Sequence, residues 1–159
     1  MSHTFVDMVM ESLKSGELIS PVEQLVGMRM VDYGRGEASY ELTVTESHAN
    51  PMGMVQGGIA SVMADAAMAM ATTTTLTNDE MRVMAVTTAD LFSRFIRPVK
   101  ASKVDTLRAD ARVLRAGRQL VWAECDLMAD GELVGKFNAT GIKVSFEQKD
   151  HAMKTTSDG

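Results

Sequence analysis

The sequence has 159 residues, 45% hydrophobic and 23% charged, with 16 basic and 21 acidic side chains and a formal net charge of −5. That length fits one domain with a substantial core, and the acidic balance disfavours nonspecific binding to nucleic acid or to an anionic membrane. Cys125 is the single cysteine, so no internal disulfide can form, and His3, His48 and His151 are too scattered to suggest a metal site.

In chain order, residues 4–14 place Phe5, Met8, Val9 and Leu13 on one face and predict an amphipathic helix that ends at Ser15-Gly16. Residues 21–26 add a helical turn. Residues 28–33 and 37–45 read as the strands of a hairpin turned by Gly34-Arg35-Gly36. A loop with proline and glycines, residues 48–58, opens into a helix over 58–75, about 27 Å long. Ala, Met, Val and Ile on nearly every side mark that helix as buried, and Thr72–Thr75 mark its fraying end. After a surface turn at Asn78-Asp79-Glu80, four strands follow, over 83–95, 104–114, 119–128 and 133–146. Pro98 implies an edge or an end near the first of them, and Asp130-Gly131 a tight hairpin turn. Residues 1–146 are expected to form a single domain, and the polar tail 147–159 to be disordered. The N-terminus lacks the features of a signal peptide and no run of about 18 apolar residues occurs, so a cytoplasmic location is expected.

The expected fold class is α+β: one antiparallel sheet wrapped around a long central helix, with a further helix at the N-terminus. Such a sheet covers one side of the helix, and its edges invite pairing with another chain, so an oligomer is expected.

Asp65 stands inside the most apolar helix of the chain, between Val62, Met63, Ala64, Ala66, Ala67 and Met68. An unpartnered buried carboxylate is costly, so Asp65 is either paired, open to a groove, or kept for its chemistry. Gly57 and Gly58 stand at the helix start, where N–H groups lack intrahelical partners and the dipole is positive. Such donors suit the oxyanion formed when a thioester carbonyl is attacked; the alternative is a helix start that needs only conformational freedom. Asn50, before Pro51, either initiates a turn or orients a water or a carbonyl. His48 is either a base or, as loop histidines more often are, a hydrogen-bonded structural residue.

Together these residues resemble the hotdog-fold thioesterase superfamily in its phenylacetate-pathway (PaaI-like) branch. The branch motif has a histidine, an asparagine two residues on, a glycine, His-Gly-Gly, and an aspartate in the following helix. Here it is matched by His48, Asn50, Gly53, Gln56, Gly57, Gly58 and Asp65. VTTADLFSRFIRPV, VLRAGRQLVWAECDL and DGELVGKFNATGIKV resemble the family's later strands, so the resemblance spans about residues 25–146. Gln56 departs from the usual histidine; it can exchange hydrogen bonds but cannot titrate.

The resemblance implies an acyl-CoA thioesterase without metal or cofactor, which splits an aliphatic or aromatic acyl-CoA into free acid and CoA. It implies a homodimer, joined as a dimer of dimers, with sites at the subunit interface. In each, Gly57 N–H polarises the carbonyl and Asn50 positions the reacting groups. Asp65 of the other chain acts as general base or as nucleophile, with Thr88 holding the water. His48, Gln56 and Gly58 border the substrate. Arg94, Arg97 and Arg118, with Lys100 and Arg115 as further cations, are placed to meet CoA phosphates. Fourteen methionines, half of them near this motif, would suit a flexible acyl group or simply pack the core. The alternative function is a noncatalytic acyl-CoA-binding or sensing module on the same fold. A hydratase ranks behind both, because no histidine lies near Asp65 in sequence.

Overall fold

The computed structural model describes residues 5–76 and 85–145. Helices α1 (Phe5–Ser15) and α2 (Pro21–Val26) lead into strands β1 (Met28–Gly34) and β2 (Glu37–Thr43). A short 3-10 turn, Glu46–His48, precedes the long helix α3 (Gly57–Thr73). Strands β3 (Ala85–Phe95), β4 (Thr106–Ala116), β5 (Leu120–Ala129) and β6 (Glu132–Val144) complete the chain. The turn expected at residues 78–80 and the tail from 147 lie outside the described residues.

The strands form one antiparallel sheet in the order β1-β2-β4-β5-β6-β3. Period-two alternation explains the side that each residue takes. Tyr40 and Leu42 of β2, Leu107 and Ala109 of β4, and Val121, Ala123, Cys125 and Leu127 of β5 are all buried on the inner face. That face packs on Ala60, Met63, Ala64, Ala67, Met68 and Ala71 of α3. Small alanines let the helix lie close to the sheet, and the two methionines fill the gaps. This is the sheet wrapped around a helix that defines the hotdog fold. The outer face carries an ion-pair lattice instead, including Arg108 with Glu41 and Asp110, and Lys136 with Asp126.

Asp130, at φ 46°, and Gly131, at φ 87°, turn β5 into β6. Positive φ at both central positions is what a two-residue hairpin requires, and Asp-Gly supplies it cheaply. The Ser20 hydroxyl and the Glu23 side chain cap α2 reciprocally, with Gly27 in the left-handed region at its end.

One expectation, on the face of α1, is corrected, and the readings of α3 and of the methionines are narrowed. In α1, Met10 is fully buried while Met8 is 55% exposed. The helix is tied to β1 by Lys14 with Asp32 and by the Tyr33 hydroxyl donating to Glu11, and that docking selects the Met10 face. Helix α3 begins at Gly57 and ends at Thr73. The Thr72, Thr73, Thr74 and Thr75 hydroxyls donate back to carbonyls of the last turns, in competition with further helix. The methionines do not gather at one site: Met63 and Met68 are core, Met52 is exposed, and Met81 and Met84 are outside the described residues.

Candidate active site

Helix α3 runs antiparallel to β3, and contacts at each end fix that relation. At the start of α3, a side chain on Gly57 would meet the Phe95 ring at 3.0 Å, so glycine is what permits this approach. One turn on, the Ser61 and Ser93 hydroxyls lie 3.2 Å apart. Further along, the Thr88 hydroxyl donates to Asp65 Oδ1 at 2.6 Å. Asp65 is half-buried, and it opens into a cavity of about 370 Å³ also lined by Val62, Ala66, Met70 and Tyr40. The carboxylate in the apolar helix is thus both paired and exposed to a cavity, two of the three explanations its position allowed.

The loop before α3 is held rigidly. The Asn50 side-chain oxygen accepts from Met52 N and Met54 N, at 2.9 and 3.1 Å, and its backbone N–H donates to Met54 O. Asn50 therefore builds the turn, the first of the two readings its place before proline allowed. The strand-like segment after β3 clamps the loop from the other side, with Val55 N donating to Val99 O and Ala101 N to Gly53 O. His48 is buried. Its Nδ1 accepts from Thr45 N at 2.9 Å, which leaves Nε2 as the protonated nitrogen donating to Val26 O, also at 2.9 Å. Both ring nitrogens are used inside the fold, so of its two readings the geometry matches the structural one.

Gln56 is the N-cap of α3 with no side-chain capping bond. Its backbone N–H donates to His48 O, while its carbonyl accepts from Ile59 N. Among the described residues, the Gly57 and Gly58 N–H groups have no acceptor, so the positive end of the helix is open to a ligand. Beside it lies a second cavity, of about 350 Å³, lined by Met54, Gly57, Phe95, Arg97, Val99 and Leu127 among others.

The cations do not converge. Arg94 lies over the Phe92 ring, 5.4 Å from its centre, and Arg97 pairs with Glu132 at 3.1 Å, both near the Gly57 end of α3. Arg118 is in the β4–β5 turn, where the next residue, Gln119, accepts from Lys143 N. Arg94 pairs with Lys136 across β3 and β6. Seven residues of β6 separate the two places, about 23 Å. Within one chain the three arginines are therefore spread over two places. Missed from the sequence were Phe95, which shapes the approach to Gly57, and Tyr40 and Glu23, which line the cavity shared with Asp65. The Ser20-x-x-Glu23 capping pattern was visible, but nothing in it indicated a cavity.

A family model described as the thioesterase superfamily matches residues 52–136, more than half of the chain. Among solved structures, the chain is similar to a phenylacetic acid degradation-related protein from Ralstonia eutropha JMP134. That likeness has 30% identity and a TM-score of 0.71, and covers 84% of this chain and 98% of that one. It is similar also to the conserved protein PA5202 from Pseudomonas aeruginosa, at 27% identity and TM-score 0.72, covering 81% and 98%. The E. coli PaaI protein from the phenylacetic acid degradation operon shares the fold, at 20% identity and TM-score 0.75, covering 89% and 97%. Comparison with curated proteins gives no match.

Proposed function

The chain belongs to the thioesterase superfamily, and we propose that it hydrolyses acyl-CoA thioesters at a site that two copies complete together. The observation that carries this reading is the Asp65 carboxylate, held at 2.6 Å by the Thr88 hydroxyl and facing a cavity, on the same helix as the open Gly57 N–H.

Gly57 and Asp65 are eight residues apart on α3, about 12 Å along its axis. One thioester group cannot touch both within a chain. Strand β3 is an edge of the sheet, with Leu91, Phe92 and Phe95 exposed along it. Joining β3 to β3 of a second copy about a twofold axis exchanges the ends of the strands. Because α3 lies antiparallel to β3, that exchange brings the Gly57 end of one chain to the Asp65 end of the other. Arg94 and Arg97 then accompany Gly57, and Arg118 accompanies Asp65 and Thr88, so the separated arginines fall on one composite site. Pairing of such dimers through other faces gives the dimer of dimers.

In the proposed reaction the carbonyl oxygen receives the Gly57 N–H, with Gly58 and the Gln56 amide beside it. Water held by Asp65 and Thr88 attacks the carbonyl carbon, and Asp65 takes its proton. Collapse of the tetrahedral intermediate breaks the C–S bond; the thiolate leaves and the proton held by Asp65 returns to the products. Asn50 and His48 serve by fixing the loop that presents Gly57. Thiol release from aliphatic acyl-CoAs of several lengths, and from phenylacetyl- and benzoyl-CoA, tests this reading. Turnover of at least one class is expected. Tight acyl-CoA binding without turnover would assign a binding or sensing module instead.

A further inference from the structure

Two cavities open near the proposed reaction centre, and a thioester has two arms to place. The cavity at Gly57 has Arg97 in its lining and Arg94 close by. The cavity at Asp65 has no basic residue among the described residues that line it, and it has two carboxylates, Asp65 and Glu23. A phosphorylated arm is attracted by the first and repelled by the second. The acyl arm therefore belongs in the Asp65 cavity.

Glu23 is the unusual member of that lining. It is only 7% exposed, in a wall otherwise made largely of Leu13, Val22, Met28, Val62 and Met70. Its Oε1 accepts from the Tyr40 hydroxyl at 2.9 Å and its Oε2 from Ser20 N at 3.1 Å. Tyr40 is fully buried, and burial, followed by the charge of Glu23, pushes its hydroxyl well above the ordinary tyrosine range, so it stays a donor. Two neutral donors hold the carboxylate, and no ion pair to a basic side chain is formed among the described residues. Tyr40 and Glu23 are buried and Asp65 is half-buried, and all three line the same cavity.

Resting on the thioesterase reading above, we propose that Glu23 is a specificity-determining residue that selects the far end of the acyl group by its charge. A negative charge fixed in the wall of a low-dielectric pocket disfavours an acyl group ending in a carboxylate and favours one ending in an ammonium or a hydrogen-bond donor, relative to a methyl end.

The test uses three CoA thioesters of matched length: 6-aminohexanoyl, hexanoyl and adipoyl. For each, kcat/KM is measured on the wild type, Glu23→Gln and Tyr40→Phe. Glutamine preserves a capping residue acceptable to α2 while removing the charge. With hexanoyl-CoA as reference in each protein, Glu23→Gln is expected to raise the relative rate on adipoyl-CoA and lower that on 6-aminohexanoyl-CoA, each by roughly tenfold. Tyr40→Phe strips one donor from the carboxylate and is expected to move both ratios the opposite way. Ratios that neither variant moves, in proteins with native circular dichroism, overturn the inference and leave the thioesterase intact. If none of the three is hydrolysed, the wider acyl-CoA panel decides the thioesterase reading, which fails only if no member of that panel is turned over. The pocket is then decided by calorimetry with the corresponding nonhydrolysable thioethers: the same ordered shifts uphold it and equal affinities overturn it.

Discussion

The Thr88 hydroxyl donates to Asp65 Oδ1 at 2.6 Å, a bond from the edge strand to the central helix that fixes where the carboxylate points. A hydrogen bond to a charged group contributes about 1.5–3 kcal/mol. Thr88→Ala is therefore expected to lower kcat by roughly 10- to 100-fold, since the bond matters only if Asp65 must hold its aim. Thr88→Ser keeps the hydroxyl and is expected to restore most of the loss. Equal activity of all three proteins in steady-state thiol release would remove Thr88 from the site.

Gly57 offers an unusually clean dissection. It occupies the first helical position, and Gln56 before it is extended, at φ −63° and ψ 129°. Proline is tolerated at a first helical position, and an extended residue suits the place before it. Gly57→Pro therefore deletes the N–H while keeping the helix, whereas Gly57→Ala keeps the N–H. Both meet the Phe95 ring, so alanine is the steric control. Proline is expected to cost roughly 10²–10³ in kcat beyond the alanine effect, the scale of one lost oxyanion donor. Indistinguishable rates for the two variants would mean that the N–H does not meet the reacting carbonyl.

The composite site makes a prediction about mixtures. Gly57→Pro and Asp65→Asn chains are each expected to be nearly inactive alone. Refolded together, mixed dimers contain one site with an intact Gly57 from one chain and an intact Asp65 from the other. Random pairing of equal amounts returns about a quarter of wild-type activity. Activity no higher than the sum of the separate variants would place Gly57 and Asp65 in one chain's site, against the helical spacing.

His48 joins the loop before α3 to the end of α2 through Thr45 N and Val26 O. His48→Ala leaves the buried Val26 carbonyl and the partly buried Thr45 N–H without these partners, and about 2–4 kcal/mol of stability should go with them. For a chain of this size that is a fall of roughly 5–15 °C in Tm. The pH dependence of kcat in the surviving fold is expected to keep its shape, because the ring is bonded on both sides and takes no proton in turnover. A limb that disappears from the profile while Tm holds would make His48 a base after all.

Which features could be read from the sequence follows from how local their causes are. Strand alternation, the Asp130-Gly131 turn and the Gly57-Gly58 helix start depend on neighbouring residues, and all appear where expected. Asp65 was conspicuous because one carboxylate among alanines and methionines contradicts its surroundings. What depended on distant partners was hidden. Pro98 pointed to an edge or an end near β3, but its place beside β6 and not beside its chain neighbour β4 cannot be seen in the alternation of β3 itself. Nor could the docking of α1 by Tyr33 and Asp32, which buries Met10 in place of Met8. His48 showed a motif position but not its two backbone partners, 3 and 22 residues away. Nor does sequence spacing reveal how far Arg118 lies from Arg97 across the sheet.

The central claim is that the Asp65 carboxylate drives thioester hydrolysis. It is tested most directly by single-turnover thiol release from the best acyl-CoA substrate, wild type beside Asp65→Asn. Asparagine keeps the size of the side chain and can still meet the Thr88 hydroxyl, but it cannot accept a proton from water. A fall of about 10²–10⁴-fold in the chemical step, with acyl-CoA affinity preserved, is the predicted result. Equal rates in the two proteins would contradict the account.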